Sequence, residues 1–370
     1  VTGVQTCALP ILYIPSELVE DGTQKYLNIS RVRTFPVTGQ RRQWGDGFPW
    51  IAEYLTNLFD DQQREVFLSW LGHFYNNARA GKPRKGHALF IAGDVSAGKT
   101  FMSQFVIGTL MGGHQEASNY MLGNTSFNES LFYNPVWTVD DATMSADPKR
   151  HSLYSQMVKK FVANPYQEYH PKFKKAVTHK FNGRLVVTMN DDATSVKMLP
   201  NIEHSILDKL IILKASKQRT NFTNAEARVA QEMPAFADYV SEWQIPAWLL
   251  TRPDEVARFG FDSWHHPELM ETARDSSSSA GVRELLEMWR PQFFRKNAST
   301  EWVGTATQLL GELKATETVS SLVDRVTYSR NALGTELQHL ILQGCDWITF
   351  RRSNGARTYS IARPEALPIK

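Results

Sequence analysis

The 370-residue sequence is short of cysteine, of long apolar runs and of net charge, and each shortage closes off a class of protein. Only Cys7 and Cys345 occur, too few for a disulfide framework or a thiolate metal cluster. The ten histidines form no HxxxH arrangement and there is no CxxC, which removes the commonest zinc-site spacings. No stretch approaches the roughly 18–20 uninterrupted apolar residues of a membrane span. The formal net charge is +3, too small to mark a nucleic-acid binder by itself, so any such role must rest on local clusters. No internal repeat is present. What remains is an ordinary globular composition, 42% hydrophobic and 21% charged, long enough for two or three cores. A reducing, cytoplasmic setting is the expectation.

The first eleven residues, VTGVQTCALPI, read as the translation of a sequencing-adapter oligonucleotide. They lack the basic start and long apolar stretch of a secretory signal. Residues 1–11 are therefore set aside from fold reasoning, Cys7 with them, and the native chain is expected to continue upstream of residue 12.

From Trp50 an amphipathic pattern starts (Ile51, Tyr54, Leu55, Leu58), and Asp60 and Asp61 can cap a second helix stopped by Gly81 and Pro83. HALFIAG ending at Gly93, PVWTVDD (135–141), RLVVTMN (184–190) and KLIILKA (209–215) are buried-strand candidates. Strands alternating with helices predict an α/β domain with its ligand at the carboxyl ends of the strands. The expected layout is a connecting helical segment over 12–82, an α/β core over 83–220 and a Trp-rich helical extension over 221–274. A linker with a connecting helix follows over 275–300, starting in DSSSSAG (275–281), and then a small domain over 301–370. In that last unit GTATQLLGEL reads as a helix, and Ser329 can cap a second one carrying Leu333, Leu337, Leu340 and Ile341. DWITFRRSNGARTYSIA reads as two strands about an Asn354-Gly355 turn. Helices followed by a basic hairpin suggest a winged helix.

The chemistry is concentrated in GDVSAGKT: Gly93, Asp94, Val95, Ser96, Ala97, Gly98, Lys99 and Thr100 match G-x-x-x-x-G-K-[ST]. The glycines let the backbone wrap an anion, so that successive N–H groups and the next helix N-terminus face phosphate. Lys99 is expected on the β- and γ-phosphates of ATP, and the Thr100 hydroxyl on Mg²⁺. Such a loop also needs an acid for the metal and a group that orients the attacking water. Asp140 is the candidate for the first role, Asp141 for the base, and Asn190 for a polar sensor of the γ-phosphate. Two adjacent carboxylates at the end of a buried strand are costly without a cation.

This order of motifs, with a basic stretch between the acids and the Asn-ended strand, resembles the superfamily 3 helicases. More closely it is similar to the motor region of phage, plasmid and poxvirus primase–helicases, over roughly residues 45–270. FLSWLGHF before the loop and FNESL before the acids share in the likeness. The resemblance implies a P-loop NTPase core of AAA+-like type working as a homo-hexameric ring on single-stranded and forked DNA. It also implies an upstream primase module or other replisome partners, in a phage or prophage protein of a bacterial cell. From Lys149 to Arg184 nine basic residues stand against Glu168 alone, with His170 and His179 able to add charge. In the family this region is a DNA-gripping hairpin, whose tip would fall at Lys172, Lys174 and Lys175 with Tyr169 and Phe173 available for stacking. Where the family carries an arginine reaching into the neighbouring subunit's site, this sequence has Lys209, with Arg219 as the other choice; lysine lacks the bidentate fork. At the C-terminal end Arg351, Arg352 and Arg357, with Arg330, are expected to meet DNA phosphates. Two alternatives stay open: a P-loop initiator or DNA-packaging motor, and a non-enzymatic origin-binding protein that uses ATP as a switch.

Overall fold

The computed structural model describes residues 7–21, 24–142, 148–192, 194–200, 204–217, 219–251, 258–275, 278–327, 330–342, 344–353 and 356–365. They fall into two compact units, 1–270 and 271–370.

The first unit begins with a small sheet of Cys7–Leu9 (β1), Leu18–Asp21 (β2) and Gln24–Asn28 (β3), in the order β1-β3-β2. Residues set aside in the sequence reading thus take part in the fold: β1 runs parallel to β3 and Leu9 is fully buried. Helices Pro49–Leu58 and Asp61–Arg79 follow where the apolar spacing places them. The Asp60 carboxylate accepts from the Gln63 N–H at 2.8 Å, the cap that the sequence expects, and Gly81 takes a left-handed φ of 64° just past the end. The helix Pro49–Leu58 has no side-chain cap of its own. Instead Glu232, from the helix Ala225–Ser241, accepts from the Trp50 and Ile51 N–H groups at 3.1 and 2.9 Å.

The main sheet is built from Ala88–Gly93 (β4), His114–Glu116 (β5), Val136–Asp140 (β6), Arg184–Met189 (β9), Leu210–Ala215 (β10) and Trp264–His265 (β11). Between β6 and β9 the chain makes a separate hairpin of Tyr166–Tyr169 (β7) and Val177–Lys180 (β8). Sheet order is β11-β10-β4-β9-β6-β5 and every pairing is parallel. All residues of β4 and β9 are buried, as in a parallel sheet covered on both faces; β4 reads as an unbroken apolar run, whereas β9 also buries Arg184 and Thr188.

Four of these strands match the sequence expectation. The edge strands β5 and β11 do not, since three and two residues are too short to show a period. The Trp-rich stretch is corrected accordingly. Only Ala225–Ser241 is a long helix there, Trp248 lies in the short 3-10 turn Ala247–Leu249, and Trp264 sits in β11.

In the second unit, the helix Ser278–Lys296 replaces most of the linker expected from DSSSSAG; Ser276 and Ser277 lie outside the described residues. Val282, Leu285, Leu286 and Trp289 explain the change, since their helical spacing buries one face in the unit's core. Glu301–Gly304 (β12), Ile348–Ser353 (β13) and Ala356–Ala362 (β14) form an antiparallel sheet in the order β12-β14-β13. Helices Ala306–Ala315, Glu317–Val326 and Arg330–Leu342 pack with it around Leu309, Val323, Leu337 and Ile361. The expected Ser329 cap and Asn354-Gly355 turn lie outside the described residues. The helix Glu317–Val326 was not foreseen, although Val319, Leu322, Val323 and Val326 carry its periodic stripe.

Candidate active site

The C-terminal ends of β4, β9 and β6 lie side by side, which brings together residues ninety-odd positions apart. Gly93 closes β4 beside Ala215 of β10; a Cβ there would fall inside contact distance of the Ala215 carbonyl, so only glycine fits. The loop then turns through Ser96 (φ 63°) and Gly98 (φ 86°) into a helix that starts at Lys99. Its winding is π-helical over Met102–Ile107, a local rewinding often found beside functional sites. The Tyr54 hydroxyl donates to the Gly98 carbonyl at 2.7 Å and ties the loop to the helix Pro49–Leu58.

The Lys99 ammonium lies across the loop, donating to the Gly93 and Asp94 carbonyls at 2.9 and 2.7 Å and to Asn190 Oδ1 at 3.4 Å. Burial holds its pKa below the ordinary lysine value, while the carboxylates of Asp141, Asp191, Asp140 and Asp94 oppose that shift. The Thr100 hydroxyl donates to Asp140 Oδ1 at 2.8 Å, and the same oxygen accepts from the Thr188 hydroxyl of β9. Asp141, exposed and at a left-handed φ of 45°, is held by its N–H on the Thr188 carbonyl.

Together these groups line a cavity of about 320 Å³ that runs from Val95 to Phe101 and takes in Asp140, Asp141, Asn190 and Phe222. Its polar lining suits a triphosphate with Mg²⁺. A loop of this shape could cradle an anion, and Mg²⁺ bound through substrate phosphates would need only one or two protein oxygens, which Thr100 and Asp140 could offer. No cluster of three or more His, Cys, Asp or Glu side chains that could hold a metal occurs among the described residues.

The residues expected on DNA separate into groups. In the hairpin Tyr166 pairs with Lys180 and Tyr169 with Val177, leaving a tip in which Lys172, Phe173, Lys174 and Lys175 are all exposed. Phe173 is 97% exposed, with its ring 5.9 Å from the Lys172 ammonium. Tyr169 is not available for stacking: it is buried against Phe132 and His179, with its hydroxyl 3.1 Å from Glu129. His179 adds no charge, since burial pushes its pKa down to about 4. Arg184 also leaves the basic patch. It is buried at the start of β9, donating to the Arg84 and Asn182 carbonyls and lying 4.6 Å from the Phe74 ring. The FNESL segment has a function that the sequence did not show. Asn128 donates to the Glu168 carbonyl at 2.8 Å and accepts from the His170 N–H at 2.7 Å, bracing β7 just before the tip.

Lys209 is not brought to the P-loop. The pairing of Leu210 with Ala88 puts it at the opposite end of the sheet, where its buried ammonium donates to the Ser205 carbonyl and Asp208 at 2.8 and 2.6 Å. In the second unit Arg351, Arg352 and Arg357 are exposed, Arg352 paired with Arg357 across the β13–β14 ladder, and Arg330 is exposed at the start of its helix. No described helix is long and apolar enough to cross a membrane.

Comparison with known proteins agrees with this architecture. Residues 91–203, from the P-loop strand past Asn190, match a family of unknown function (DUF5906). No curated protein matches the sequence. Among solved structures, the apo form of the NrS-1 C terminal region superposes with a TM-score of 0.58 at 13% identity, covering 97% of this chain and 85% of that one. A second apo form gives 0.56 at 14% identity with the same coverage. A JCV helicase covers 64% of this chain and 69% of its own at 12% identity, but its TM-score of 0.28 is too low to carry an argument. The α/β fold with its large parallel sheet is therefore one that this chain shares, nearly end to end, with the NrS-1 C terminal region.

Proposed function

We propose that this chain is the ATP- and Mg²⁺-dependent motor of a DNA helicase of the phage or mobile-element primase–helicase type. One observation carries the reading: Lys99, Thr100, Asp140 and Asn190 meet through hydrogen bonds at the carboxyl edge of adjacent parallel strands. The strand that ends in Asn190 lies between the P-loop strand and the acid strand, which supports an AAA+-like core.

In this reading the loop amides and Lys99 hold the β- and γ-phosphates. Thr100 and Asp140 would hold Mg²⁺, which would supply positive charge near the transferred phosphoryl group. Asn190 turns the attacking water toward the γ-phosphate and Asp141 takes its proton. Before nucleotide arrives, Lys99 is satisfied by the two loop carbonyls and Asn190. Phosphate competes for that ammonium and releases the Asn190 amide for the water, linking occupancy to the sensor.

Single-stranded DNA would meet the exposed Lys172–Lys175 tip in the bore of a homo-hexameric ring. The basic hairpin of the second unit, read as the wing of a winged helix, would meet duplex phosphates at the fork through Arg351, Arg352 and Arg357. With Lys209 turned inward, Arg219 is the better candidate for the cation that completes a neighbour's site, in a cytoplasmic complex with a primase module upstream.

The test is direct. The full chain is expected to hydrolyse ATP faster with single-stranded DNA and to open a fork, and Lys99→Ala is expected to abolish both activities. Unwinding retained by Lys99→Ala would overturn the mechanism.

A further inference from the structure

One wall of the site is aromatic and has no part in holding phosphate. Phe222 lines the cavity with the P-loop and remains 37% exposed, so part of its ring is open to a ligand. A Cβ on Gly98 would come within 3.1 Å of its Cζ, so the ring stands directly over the loop. Trp50, Tyr54 and Phe101 all meet it edge-to-face, at centroid distances of 5.7, 5.8 and 5.3 Å and interplanar angles of 86–88°. No described ring lies parallel to it.

The segment that carries Phe222 is pinned on both sides. Asn57 donates to the Thr220 hydroxyl at 2.8 Å, the Trp50 indole N–H donates to the Asn221 carbonyl at 2.9 Å, and the Phe222 carbonyl accepts from the Ala225 N–H at 3.0 Å. Asn224, at a left-handed φ of 57°, then turns the chain into the helix Ala225–Ser241. A fixed, half-exposed aromatic ring beside a phosphate cradle is suited to a flat apolar group tethered to the phosphates.

We infer that Phe222 is the stacking platform for the nucleobase of the bound nucleotide, supported from behind by Trp50, Tyr54 and Phe101. The inference rests on the proposed nucleotide site and adds to it the part of the substrate that the phosphate motif leaves unassigned. The polar side chains among the described residues lining the cavity are Ser96, Lys99, Thr100, Asp140, Asp141 and Asn190, those of the loop and its metal and sensor partners. Base affinity from this wall therefore comes from the ring face, which every nucleobase presents.

The experiment compares binding of ATP with that of inorganic tripolyphosphate, which has the phosphates and no base, by calorimetry with Mg²⁺. Phe222→Ala and Phe222→Leu are each expected to weaken ATP by about 10-fold, the usual effect of losing one base–aromatic stack. Tripolyphosphate affinity should stay at the wild-type value in both, and Phe222→Trp should keep ATP within about twofold of wild type. Leucine fills the space without offering a ring, so it separates loss of stacking from collapse of the loop. Equal weakening of both ligands, or no change for ATP in either variant, would overturn the role of Phe222 while leaving the phosphate site standing. If the wild type binds neither ligand, the nucleotide reading itself fails.

Discussion

At the scale of single residues, the site depends on oxygen atoms with more than one partner. Asp140 Oδ1 accepts from both Thr100 and Thr188, so the acid strand is locked to the loop on one side and to the sensor strand on the other. Asn190 has the opposite character: among the described residues its amide oxygen meets the far reach of Lys99, at 3.4 Å, and a weak contact is easily exchanged for a ligand. Asn190→Ala is therefore expected to leave ATP affinity near wild type and to lower the hydrolysis rate about 100-fold, the cost of removing one preorganised polar group from a transition state. Binding and single-turnover hydrolysis, measured separately, check it; a parallel fall in both would make Asn190 part of the binding surface instead.

At the scale of elements, the β7–β8 hairpin divides into a ladder with one buried face and a solvated tip. Tyr169 and His179 pack on the buried face and Asn128 grips the β7 backbone before the turn, while Lys172, Phe173, Lys174 and Lys175 extend beyond the ladder. Tip residues can thus be changed without disturbing the core. Replacing the three lysines by alanine is expected to keep basal ATPase within about twofold and to remove its stimulation by single-stranded DNA. Full stimulation in that variant would move the DNA contact elsewhere. The basic run alone could not make this division, because charge density along a sequence does not distinguish Lys174, in solvent, from Arg184, buried at the start of β9.

At the scale of the whole molecule, the first unit buries neutral histidines. Burial, helped by Arg184 and Arg84, pushes His73 down to about 3, and burial pushes His179 down to about 4. An unfolded chain takes up protons at both positions below about pH 6.5, while the folded state does not until far lower pH. Stability is then fully present above about pH 6.5 and declines as pH falls toward 4. Between pH 6.5 and 5 each histidine contributes a loss of about 2 kcal/mol. Thermal unfolding followed from pH 7.5 to 5 should show a falling Tm, and His179→Phe should flatten the slope. An unchanged slope in that variant would assign the acid sensitivity to other groups. His87, whose pKa burial also lowers, adds in the same direction.

The sequence by itself determined the parts whose chemistry is local. A P-loop is a contiguous string whose glycines answer to backbone sterics within eight residues, and β4, β6, β9 and β10 are apolar runs that can only be buried. Asp60 caps its helix through neighbours three residues away. Only the tertiary structure decided which distant residues share a space. That β9 lies between β4 and β6, so that Asn190 reaches Lys99, depends on strand order, which no periodicity encodes. Burial of Tyr169, Arg184 and Lys209 depends on what the rest of the chain lays over them, and two-residue β11 exists only because β10 offers it an edge. Phe222 reads in sequence as one aromatic in a polar loop. The fold makes it a wall of the P-loop cavity, because pinning by Trp50 and Asn57 is a long-range property of the chain.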